Sequence, residues 1–87
     1  MGLDTVELAL SVEQVFQIDI PDSAAGEIRT VGDLHHFVVA ELIRLNRPNV
    51  NSDIVFDLLR NLICMQLGVK PEEVVAGARF VEDFKAG

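Results

Sequence analysis

A single cysteine, Cys64, stands in a chain of 87 residues. It excludes an internal disulfide and points to a reducing, cytoplasmic compartment. No apolar run reaches the roughly 18 residues that a membrane span needs. No basic segment followed by an apolar one marks a secretory signal, and the myristoylation pattern fails because Val6 stands where it wants Ser or Thr. Basic residues are scarce: 7 Lys and Arg face 14 Asp and Glu, for a net charge of −7. That balance argues against nucleic acid and anionic membrane, and for partners with basic surfaces. No nucleophile–base pair, phosphate loop or metal cluster is visible, so no enzyme is expected. No sustained alternation of period two is present, so no strands are expected, and there is no internal repeat or low-complexity tract.

What is present is helical periodicity, with 49% hydrophobic residues, enough for one small folded domain. The spacing of Leu8, Val12, Val15 and Phe16 predicts a first helix that opens almost at the first residue, with Asp4 and Glu7 near its positive end. Val6 and Leu10 fall on a neighbouring face, among Glu7 and Glu13. Pro21 ends the helical geometry, and Ile18 and Ile20 read as apolar pins of a short extended piece. Asp22 or Ser23 is expected to cap a short turn over Ala24, Ala25 and Glu27, weakened by Gly26.

Thr30 and Asp33 have the spacing of a capping box. The helix that follows places Leu34, Phe37, Val38, Leu42 and Leu45 on one stripe and should end near Asn46, before Pro48. Residues 46–51 read as a polar linker. Asn51 or Ser52 caps a third long helix, whose apolar face is Val55, Leu58, Leu59, Leu62, Ile63 and Met65. Gly68 closes it, with Val69 as the accompanying contact. Pro71-Glu72-Glu73 reads as one turn, and Phe80 and Phe84 close an end of the core. The fold class is all-α: three long helices, one short one and two irregular loops.

Several blocks together resemble acyl carrier proteins. Leu3-Asp4-Thr5-Val6-Glu7-Leu8 is similar to the start of that family's second helix, and Phe16-Gln17-Ile18-Asp19-Ile20-Pro21-Asp22 to the loop after it. Ile28-Arg29-Thr30-Val31-Gly32-Asp33-Leu34 resembles the run into the last helix. Leu67-Gly68-Val69-Lys70-Pro71-Glu72-Glu73-Val74 with Phe80-Val81-Glu82-Asp83-Phe84 resembles the end of the first helix and its loop. The order differs, since the segment resembling 52–87 precedes the segment resembling 3–45 in the family. The resemblance therefore implies a single four-helix, carrier-type bundle over 1–87, circularly permuted, with the second, third and fourth family helices first and the first helix last. Joining Phe84-Lys85-Ala86-Gly87 to Gly2-Leu3-Asp4 runs without a gap, and folded chains often have neighbouring ends. A fragment of two tandem carrier domains and a domain-swapped dimer remain the alternatives to a permuted monomer.

In the family, a Ser just before the Leu-Asp pair carries 4′-phosphopantetheine. Here Gly2 stands there, without a hydroxyl, and Gly87 falls in the register of the preceding Asp. The resemblance thus implies no cofactor. Ser11 lies inside a helix, Ser23 in a turn, and Ser52 reads as a cap. The family also docks basic partner enzymes on this helix, which makes Asp4, Val6, Glu7, Leu10 and Glu13 the candidate docking face. Its partner would be the basic surface of a fatty-acid, polyketide or related biosynthetic enzyme. The readings left open are an interaction module that carries nothing, a true carrier with another attachment site, and a structural domain. The remaining polar residues read as ordinary. His35 and His36 lack ligand spacing, Cys64 reads as a packed thiol, and Glu72, Glu73, Glu82 and Asp83 lack an EF-hand pattern and read as solvated charge.

Overall fold

The computed structural model describes residues 3–85, with side chains placed from Val6 onward. The chain folds as α1 (Leu3–Phe16), α2 (Asp22–Ala25), α3 (Val31–Arg44), α4 (Ser52–Leu67) and a 3-10 turn (Pro71–Glu73). Among the described residues there is no strand, only one isolated backbone pairing between Thr30 and Arg79. The all-α expectation holds. Gly2, Ala86 and Gly87 lie outside the described residues, and so do the side chains of Leu3, Asp4 and Thr5.

α1 presents Leu8, Val12 and Phe16 to the core, spaced one helical turn apart. Val15 does not join them; it is exposed, because the buried stripe of α1 is narrower than its apolar spacing suggests. α3 contributes Val31, Leu34, Val38 and Leu42, and α4 contributes Val55, Leu59 and Ile63. Leu58 and Met65, expected on the apolar face of α4, are exposed instead. α4 is covered on the sides turned toward α1, α3 and the 3-10 turn, and these two residues lie outside that cover.

The helix ends follow their local chemistry. Thr30 accepts from the Asp33 N–H at 3.0 Å, while the Asp33 carboxylate takes the Thr30 N–H at 3.1 Å, a complete capping box. Asn51, not Ser52, caps α4, accepting from the N–H groups of Asp53 and Ile54. α2 starts without the expected side-chain cap: Pro21 is its N-cap, and Asp22 sits in its first turn. Gly68 takes the left-handed conformation, φ 68°, that ends α4 with little strain.

The segment after α4 returns to the start of α3. The Val31 N–H donates to the Ala78 carbonyl at 3.0 Å and the Gly32 N–H to the Ala76 carbonyl at 2.8 Å. Those two donors would otherwise be orphans of the first helical turn. A side chain at Gly32 would meet the Ala76 oxygen at 3.0 Å, so glycine leaves room for this close approach. Phe80 is buried beneath this segment, its ring edge-on to Phe84 with centroids 6.0 Å apart. The two aromatics close the core at that end, as their spacing suggests.

Candidate docking surface

The outer face of α1 carries Val6 at 41% and Leu10 at 53% exposure, with Glu7 exposed beside them. Glu13, the fourth described member of the candidate set, is half-buried, and its Oε2 accepts the Ile20 N–H at 2.7 Å. That bond holds the loop after α1 in place, so this carboxylate already has a structural partner. The Asp4 side chain lies outside what is described.

Leu10 and Glu13 also line an open cleft of about 580 Å³, together with Arg44 at the end of α3, Leu45 just after it, and Arg47. The Arg47 guanidinium donates to the Phe16 carbonyl at 2.9 Å and to the Gln17 carbonyl at 2.6 Å. A cation thus sits on the negative end of the α1 dipole. Arg44 is held by Glu41 through two hydrogen bonds, each 2.9 Å. A second cleft, about 700 Å³, opens between α1, the 20–29 loop, the start of α3 and residues 79–82. Leu8, Ile20, Ile28, Leu34 and Phe80 give it an apolar lining, with Arg29 and Arg79 also at its walls. Sequence reasoning missed both clefts, because each is assembled from segments far apart in the chain.

The structure also brings together a pair that the sequence separates. His35 Nε2 lies 2.8 Å from the Ser52 carbonyl and 3.1 Å from Ser52 Oγ. The sequence gives no sign of this contact, which joins residues 17 positions apart. The pair is poorly arranged as nucleophile and base, since the nitrogen that would accept the hydroxyl proton is shared with a carbonyl that needs a donor. The ring packs edge-on against Phe56 at 5.1 Å, which favours a tie between α3 and α4. His36 is exposed and Cys64 half-buried. Among the described residues, no group of His, Cys, Asp and Glu has metal-holding geometry.

Three carboxyls are shifted. Asp33 is held below its ordinary value of 3.8 because it accepts the Arg29 and Thr30 N–H groups. Asp83 is lowered by the Arg79 N–H and guanidinium, and Glu41 by the Arg44 guanidinium. A carboxyl depressed in the folded state adds stability above its unfolded pKa, and that stability is lost as pH falls through the folded value. The protein is therefore expected to lose stability below about pH 4. Asp33→Asn should lower the urea midpoint at pH 7 and shrink the difference between the pH 7 and pH 3 midpoints. An unchanged difference would show that the capping box does not titrate with folding.

Part of this chain is similar to an acyl carrier protein. The match, to the acyl carrier protein of Prochlorococcus marinus (strain MIT 9515), is 54% identical over 40 residues. It covers 46% of this chain and 50% of that protein, so the chain spans about half the length of the curated relative it matches. No family model and no solved structure matches the chain. The all-helical fold agrees with the acyl carrier resemblance. Among the described residues, no helix is long and apolar enough to cross a membrane.

Proposed function

We propose that this chain is an acyl-carrier-protein-like, non-enzymatic interaction module that docks basic surfaces of fatty-acid, polyketide or related enzymes through α1. In this reading it carries no 4′-phosphopantetheine. The observation that carries the proposal is the α1 outer face: Val6 and Leu10 expose a small apolar centre with Glu7 at its rim. Transient docking faces combine such a centre with charge that steers a partner of opposite sign.

The family's attachment position does not fit the cofactor. Its phosphodiester needs a hydroxyl, and Gly2, before Leu3-Asp4, has none. Ser11 Oγ already accepts from Gln66 Nε2 at 3.0 Å, and Ser52 Oγ faces His35. Gly2 itself lies outside the described residues.

The permuted order belongs to the same reading. It is supported by the return of residues 76–80 to the start of α3, and by Arg47, which fastens the 46–51 linker onto α1. Both contacts let one chain close its own bundle. A monomer is proposed, with α4 filling the place of the family's first helix.

Binding to a purified, basic carrier-dependent synthase tests the docking face. Glu7→Lys and Leu10→Ala should each weaken it at least about tenfold, ~1.4 kcal/mol. Undiminished binding by both variants would reject α1 as the docking surface.

A further inference from the structure

Residues 76–84 form a strap whose own folding and whose seat on α3 are secured separately. Within the strap, the Asp83 carboxylate accepts the Arg79 N–H at 2.7 Å and the Arg79 guanidinium at 3.3 Å. The Asp83 and Phe84 N–H groups return to the Arg79 carbonyl at 2.9 and 3.3 Å. These bonds are local and need nothing outside the strap. At the seat, the capping box of Thr30 and Asp33 holds the first turn of α3, and the Leu34 N–H donates to the Thr30 carbonyl at 3.2 Å. That turn keeps these bonds whether or not the strap lies on it.

The joint between strap and seat is thin. The backbone bonds that cross it run from Val31 to Ala78, from Gly32 to Ala76 and from Phe80 to the Arg29 carbonyl. Of residues 76–84 only Ala78 and Phe80 are buried. Their apolar area keeps the closed form dominant. When the two sides part, the Val31 and Gly32 N–H groups lose their acceptors, but they stand in the first turn of a helix, where water can take them. A segment with few buried contacts and exposed backbone bonds opens at a lower free energy than global unfolding. The cleft of about 700 Å³ gives this opening a consequence. Phe80, Val81 and Glu82 line it from the strap, while Leu8, Ile20 and Leu34 line it from elsewhere in the bundle.

We infer that residues 76–84 are a lid on this cleft: the strap parts from the start of α3 as a unit, the helices stay folded, and the apolar lining is uncovered. The lid is a conformational device of the fold and does not depend on the docking role of α1.

The test is native-state hydrogen exchange of the full chain, followed amide by amide by NMR. Val31, Gly32 and Phe80 should share one protection factor, at least about tenfold below that of Leu59 and Ile63 in α4. Low urea should hardly change it, while the α4 values fall steeply, because lifting the lid exposes far less surface than unfolding does. Leu34 should be at least about tenfold better protected than Gly32. Ile63→Val weakens the core that the closed and open forms share. It should therefore lower Leu59 protection about fivefold and leave Val31, Gly32 and Phe80 unchanged. The inference is overturned if Leu34 exchanges together with Val31 and Gly32, since α3 itself would then fray. It is equally overturned by one protection level and one urea slope for all these amides, or by a parallel loss at both sets in Ile63→Val, since the strap would then open only with the whole protein.

Discussion

Phe80→Ala is expected to lower stability by about 3–5 kcal/mol, the usual loss for truncating a buried aromatic. A domain of this length has a total of roughly 4–13 kcal/mol, so the variant should melt tens of degrees lower or fail to fold at room temperature. The cause is double. The ring fills the end of the core where α3 begins, and its own N–H donates to the Arg29 carbonyl at 3.0 Å, which locks the 76–80 segment onto the start of α3. Loss of the ring loosens the segment that supplies carbonyls to Val31 and Gly32. Phe84→Ala should cost less, since that ring is half-exposed. Urea unfolding followed by circular dichroism measures both. A Phe80→Ala loss under about 1 kcal/mol would place the segment outside the cooperative core.

Arg47→Ala should cost about 1.5–3 kcal/mol, the range for hydrogen bonds to a charged group. Two carbonyls at the end of α1, those of Phe16 and Gln17, lose their charged donor, and Gln17 already stands at φ 53°. Arg47→Lys should recover only part of the loss, because an ammonium lacks the fork that reaches both oxygens at once. The same melts separate the two variants. Equal stability of wild type and Arg47→Ala would mean that the linker does not hold the α1 end.

Thr30, Asp33 and Gly68 were legible because a cap is written in a few adjacent residues whose chemistry serves the backbone beside them. The helices were legible for a similar reason: a turn of apolar spacing persists in any context. The width of the buried stripe was not. Val15, Leu58 and Met65 follow the helical period, yet how much of a helix is covered depends on which neighbours pack against it. The roles of Arg47 and Glu13 and the meeting of His35 with Ser52 were hidden for the same reason, since each joins residues brought together only by the folded bundle. On the candidate docking face, the exposure of Val6 and Leu10 is what their offset from Leu8 and Val12 suggests. Glu13 shows that an acidic residue on such a face can also hold its own loop.

The proposed function is that of a carrier-type docking helix without the carrier's chemistry. Intact-mass measurement of the purified protein, after incubation with coenzyme A and a phosphopantetheinyl transferase, tests it most directly. The account predicts an unchanged mass, while an authentic acyl carrier protein in the same tube gains the phosphopantetheine increment. A gain of that increment by this chain, wherever it attaches, would contradict the account.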